Sequence, residues 1–212
     1  MRTPIAAFRL PLRSRMAGFT LLELMLVITV AAVILGLGIP NMTQFIRNNR
    51  MTGAANDMLA ALHTARTEAV KRRAFVTFCF SANPTATTPT CSNAGRGWVV
   101  FVDDANPAVT STDDGNYTVN TGEEVLLRHE ALPATFTSMR KVPANTRGTI
   151  FAASGFARTT NTPLSGVVLC DLRGNVATYG DQNSAARFID IETTGRPQIS
   201  RAVSDITTEG GC

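Results

Sequence analysis

The sequence predicts an α+β fold in which a long N-terminal helix, able to span a membrane in its first half and amphipathic in its second, packs on an antiparallel β-sheet head. Three observations predict it. An uninterrupted apolar run extends from Phe19 to Ile39, apolar residues then recur three or four apart after Pro40, and from Ala74 short apolar bursts alternate with turn residues.

The first 18 residues carry Arg2, Arg9, Arg13 and Arg15 and no acid, the asymmetry that holds a short flank on the cytoplasmic side. The 21 residues from Phe19 to Ile39 follow. At about 1.5 Å of rise each they reach roughly 30 Å, the thickness of a bilayer's hydrocarbon core. Within that run stands one carboxylate, Glu23. An ionisable group in lipid costs about 3 kcal/mol or more, so its default reading is functional, with a charged partner to be found. A secretory signal cut near Gly36 or Gly38 is the competing reading. The length of the run, Glu23 and the unbroken passage into a second helical pattern argue against it.

From Asn41 to Arg73, residues such as Met42, Phe45, Ile46, Met51, Ala55, Met58, Leu62, Ala65 and Ala69 mark a single-faced helix. It ends at Lys71-Arg72-Arg73, cations suited to the negative end of the helix dipole. Gly36, Gly38 and Pro40 are the expected points of kinking or local melting. The chain thus divides into a leader (1–18), a membrane helix (19–40), an amphipathic spine (41–73) and a β-rich head (74–212).

The head offers the bursts AFVTFCFS, GWVVFVD, EEVLLRHE, TIFAA, SGVVLCD and ARFIDIET as strands, with irregular loops at 82–96 and 104–122. Its four cysteines, Cys79, Cys91, Cys170 and Cys212, form an even set that suits an oxidising compartment. Three pairings are open. The favoured one joins Cys79 to Cys91 across the first hairpin and Cys170 to Cys212 across the tail. No CxxC spacing is present that would suggest zinc or redox chemistry.

Charge excludes a strongly basic binding domain. The whole chain has 20 basic and 16 acidic residues, but four of the arginines lie in the leader, leaving 16 against 16. Beyond Arg73, ten basic residues face thirteen acidic ones. Catalytic candidates are few. His63 and His129 are the two histidines and neither has a motif-spaced partner, while Asp103, Asp104, Asp113 and Asp114 lack a calcium-loop spacing. No cofactor, no metal and no enzymatic activity are expected.

The basic leader ending in Gly18, then Phe19-Thr20-Leu21-Leu22-Glu23 and an apolar helix, resembles the class III (type IV) prepilin signal, and Pro40 matches a proline common in that family. The head resembles the GspH/FimT family of minor pilins and pseudopilins. Its matching stretches are Cys79 and Cys91 followed by Gly97-Trp98-Val99-Val100-Phe101-Val102-Asp103, then Glu124-Val125-Leu126-Leu127-Arg128, and Leu169-Cys170-Asp171 leading to Thr194-Gly195-Arg196. The resemblance implies a pilin-like fold, cleavage between Gly18 and Phe19 by a prepilin peptidase, N-methylation of Phe19, and assembly with other pilins or pseudopilins by inner-membrane machinery. The expected location is the bacterial inner membrane, N-terminus cytoplasmic and head periplasmic, and thence the filament. Cleavage would leave an ammonium at Phe19, which supplies the partner Glu23 needs if the two pair between neighbouring subunits.

Two functions follow from the resemblance: a structural subunit of a type IV pilus or type II secretion pseudopilus, or a pilus-associated DNA receptor. DNA-binding members carry Gly-Arg-x-Arg in the tail. Here Gly195 and Arg196 match but Gln198 replaces the second arginine, leaving Arg187, Arg196 and Arg201 as candidate phosphate contacts. The tail's net charge of about −1 weakens the electrostatic attraction on which non-specific DNA binding rests. The structural alternative has Arg196 opening a strand after a turn at Gly195.

Overall fold

The computed structural model describes residues 18–103, 115–120, 122–158, 163–177 and 183–212; the leader through residue 17 and most of the 104–122 loop lie outside these. By contacts the chain divides into two compact units, Met1–Phe45 and Ile46–Cys212. The first contributes the opening turns of α1 (Leu21–Arg72). Its residues from Leu21 to Ile39 are exposed throughout, and an 18-residue window of α1 reaches a mean hydropathy of 2.5. The α-helical backbone runs through Gly36, Gly38 and Pro40, so the local melting expected there does not occur. Proline removes a single N–H, and the cooperative ladder on both sides carries the helix across it.

In the second unit, α1 buries one stripe: Met51, Ala54, Ala55, Met58, Ala61, Leu62, Ala65 and Ala69. Five of these eight are alanines, side chains short enough to bring the helix backbone close to the strands beneath it. Ile46, expected on the packed face, is exposed instead.

Eight strands form two antiparallel sheets. The first has the order β3-β2-β1-β5 and the second β4-β6-β7-β8. The first comprises β1 (Val76–Ser81), β2 (Gly97–Val102), β3 (Val125–His129) and β5 (Gly148–Phe151); the second comprises β4 (Phe136–Val142), β6 (Gly166–Asp171), β7 (Asn183–Ile191) and β8 (Pro197–Ala202). A short helix, α2 (Val203–Thr208), closes the chain.

The central strands read as apolar bursts because both of their faces are covered. Val76, Phe78, Phe80, Trp98 and Val100 from one sheet and Val167, Leu169, Ile189 and Ile191 from the other meet the α1 stripe in one core. On the far side of the first sheet Cys79, Val99, Phe101, Tyr117 and Ile150 form a second cluster. On the far side of the second sheet Val168, Cys170, Ala186 and Phe188 are covered by Ile206 of α2. The disulfides Cys79–Cys91 and Cys170–Cys212 lie in these outer layers, across 12 and 42 residues of sequence.

Candidate functional site

At the N-terminus, Gly18, Phe19 and Thr20 precede the first helical turn, and Phe19 is 82 % exposed. The Thr20 Oγ1 accepts a hydrogen bond from the Glu23 N–H at 3.2 Å. Thr20 thus caps the helix, and the Glu23 carboxylate stands at the third helical position of a Thr-x-x-Glu pattern, where the helix dipole favours a negative charge. The local role of that carboxylate is as an anion in the first turn of α1, beside any role toward a neighbouring chain. The spacing was present in the sequence as a helix-start signal.

The three tail arginines do not converge. Arg187 is buried, and its Nη1 donates to the carbonyls of Ser184, Ala185 and Ala186 at 3.2, 3.0 and 2.9 Å while Nη2 donates to Thr52 Oγ1 at 3.2 Å. Burial pulls its pKa down to about 10, with the Arg201 and Arg173 charges adding to the effect. The guanidinium is spent on tying β7 to α1, which removes Arg187 from the candidate phosphate contacts.

Arg196 is exposed and stands between a tight turn and the start of β8. Gly195, at φ +75°, donates to the Glu192 carbonyl at 2.8 Å. A Cβ there would stand 2.2 Å from the Gly155 carbonyl oxygen. Both turns are held to α1 by one side chain: Arg66 Nε donates to the Gly155 carbonyl at 3.0 Å and Nη2 to the Thr194 carbonyl at 3.4 Å. The Gly-Arg pair thus sits where backbone packing demands glycine, whatever binds outside.

Gln198, in place of a second arginine, donates to Asp190 Oδ2 at 2.9 Å. Side chains alternate along β8, so Arg201 points away from Gln198 and shares a face with Ile199, which packs on the main core. The surface around Gln198 is acidic: Asp190, Asp205 and Glu209 line one shallow concavity there with Ser200 and Thr208. A phosphate backbone would meet carboxylates on that face.

Asp103 is buried and accepts from Thr77 Oγ1 at 2.6 Å and from the N–H groups of Gly115, Asn116 and Tyr117 at 3.0, 3.2 and 3.2 Å. Burial pushes its carboxyl above the usual range despite these donors. It closes the base of the loop that follows β2, with no oxygen left over for a cation. Asp104, Asp113 and Asp114 lie outside the described residues, and among those described no group of His, Cys, Asp and Glu converges as a metal site.

His129 stacks on the buried Trp98 ring at 3.8 Å, and its Nε2 stands 3.7 Å from Asp57 on α1. His63 is exposed on the helix. Lys141, which sequence reading did not single out, is buried with Nζ over the Phe80 ring at 4.5 Å and donating to the carbonyls of Asn93 and Gly95. It joins β4 of one sheet to the segment after Cys91 beside the other. Burial lowers its pKa to about 8.

Comparison with known proteins gives two family matches: Type II transport protein GspH over residues 54–195, and the prokaryotic N-terminal methylation motif over residues 13–39. No curated protein matches the chain. Among solved structures, two crystal forms of the type IV minor pilin FimU of Pseudomonas aeruginosa are similar. One is 21 % identical, covering 76 % of this chain and 94 % of that one at a TM-score of 0.46. The other is 20 % identical, covering 72 % and 94 % at 0.44.

Proposed function

Because the chain belongs to the GspH family of type II transport proteins, and its start matches the N-terminal methylation motif, we propose that it is a low-copy structural subunit, a minor pilin or pseudopilin, of a type IV pilus or type II secretion pseudopilus. In this reading it has no catalytic activity and acts by assembling. A prepilin peptidase cuts between Gly18 and Phe19, Phe19 is N-methylated, and residues 19–40 anchor the chain in the bacterial inner membrane until the assembly machinery moves it into a filament beside other pilins. The head stands on the periplasmic side, where its two disulfides persist.

The observation that carries this reading is the methylation motif at 13–39 lying on the wholly exposed apolar opening of α1, in one chain with a GspH head. An apolar helix surface with no partner of its own needs lipid or neighbouring helices around it. Glu23 fits as the group that pairs with the Phe19 ammonium of the next subunit and fixes register.

Intact-mass measurement on membrane-extracted protein tests it. The expected mature chain begins at Phe19 and carries one added methyl group. A chain that retains the leader, or begins after Gly38, would sink the pilin reading.

A further inference from the structure

The first head-borne turns of α1 carry two unpartnered cations above an apolar hollow. Arg47 and Arg50 are exposed and make no hydrogen bond or ion pair with any described residue. With Met51, Thr135, Phe136, Asp171 and Leu172 they line a cavity of about 210 Å³. Met51 and Phe136 are buried, while Leu172 stands 80 % exposed at the tip of the turn after β6. The one carboxylate in the lining is already neutralised: Asp171 holds Arg173 through contacts of 2.9 and 2.6 Å to Oδ2. Arg173 in turn donates to Asn48 Oδ1 at 2.7 Å, which fixes this turn against α1. The hollow therefore offers apolar walls under an uncompensated double positive charge.

From this we propose that the hollow is a binding site for an anionic phospholipid, its phosphate between the Arg47 and Arg50 guanidiniums and the upper part of an acyl chain against Leu172, Met51 and Phe136. Arginines three apart on a helix have Cβ atoms about 5–6 Å from each other, a spacing at which two side chains straddle one phosphate. The walls also select lipid over a soluble anion: Met51, Phe136 and Leu172 offer an acyl chain the apolar surface that a free phosphate would leave unused, and a leucine beside arginines is the usual composition of a surface seated on a bilayer. The proposal rests on the membrane anchoring put forward above. Its role would be to seat the head on the bilayer before the subunit is drawn into a filament.

Carbonate extraction of native membranes separates the two readings: a chain released by carbonate defeats the anchored reading and this one together, whereas a retained chain leaves the lipid site to be judged alone. Full-length protein in neutral detergent is then titrated with phosphatidylglycerol or phosphatidylcholine, and bound lipid is counted by native mass spectrometry. Phosphatidylglycerol is expected to bind at least about tenfold more tightly, in line with about 1 kcal/mol for each basic residue near an anionic surface. Arg47→Gln with Arg50→Gln should abolish the preference, and Leu172→Ser should weaken both lipids. These side chains are exposed, so melting temperatures serve as a fold control. Equal affinity for the two lipids, or a preference that survives in the double variant, overturns the proposal. So does a lipid-indifferent chain whose double variant drops out of filaments, which would assign the face to a neighbouring subunit.

Discussion

Glu23 and Arg187 show how a single charged residue changes meaning once its surroundings are known. Glu23 stands in the first turn of α1, where Thr20 caps its backbone N–H, and its carboxylate is the proposed partner of a neighbouring Phe19 ammonium. Two substitutions test the pairing. Glu23→Ala removes the carboxylate outright, while Glu23→Gln keeps its size and polarity and removes only the charge; both keep the N–H that Thr20 caps. If intersubunit pairing controls assembly, both variants should insert in the membrane yet be missing from sheared filaments; normal incorporation of Glu23→Gln would rule the pairing out. Arg187 and Arg196 differ in the opposite sense. Arg187→Ala strips three carbonyls of a buried donor and should destabilise the head by about 1–3 kcal/mol. Arg196→Ala, at an exposed position, should change stability by less than about 0.5 kcal/mol. Thermal unfolding of the two variants checks both statements. Sequence could not distinguish these arginines, because burial of a guanidinium depends on which strand covers it and leaves no mark on spacing.

Elements were legible where one physical signal dominated. The apolar bursts located β1, β2, β5, β6 and β7, since doubly covered strands need continuous hydrophobicity, and also the half-buried edge strand β3. The strand β8 was within reach through its opening glycine turn. The strand β4 was not: its sequence FTSMRKV is half polar because it runs along a sheet edge, and its lysine turns inward over Phe80. The helix α2 spans 6 residues, too few for periodicity to register, and it is held by Ile206 and the disulfide beside it. Lys141 makes the β4 contact sensitive to pH. Its proton leaves the folded state near pH 8 but the unfolded chain only near the ordinary value of 10.5. Between these the unfolded state binds more protons, so folding stability rises as pH increases from about 8 toward 10. Above pH 10 the buried Tyr117, raised to about 12, contributes with the opposite sign. Denaturant unfolding from pH 7 to 10 should show the rise, and Lys141→Met should flatten it; an equal slope in the variant would assign the effect elsewhere.

For the molecule as a whole, charge argues against nucleic acid: the head is net acidic, Arg187 is internal, and the Gln198 face carries Asp190, Asp205 and Glu209. Full-length protein in detergent should bind duplex DNA weakly or not at all at physiological salt. Sub-micromolar binding that weakens steeply with salt and disappears in an Arg196→Ala, Arg201→Ala double variant would instead make DNA uptake the leading function. The Cys170–Cys212 link has a further consequence under mechanical tension. A force applied at the C-terminus enters the chain at Cys170, in the interior strand β6, and bypasses the segment between the cysteines, a sequence separation of 42. That segment is withheld slack: fully extended, it would add roughly 140–150 Å of contour length at about 3.3–3.6 Å per residue. In single-molecule stretching from a handle at residue 212, a Cys212→Ser chain should lengthen by that increment relative to the oxidised parent. Equal contour lengths would mean that the tail carries no tension through the bond. A subunit that stays in a filament while the filament is pulled would then keep its last two strands and α2 out of the path of the load.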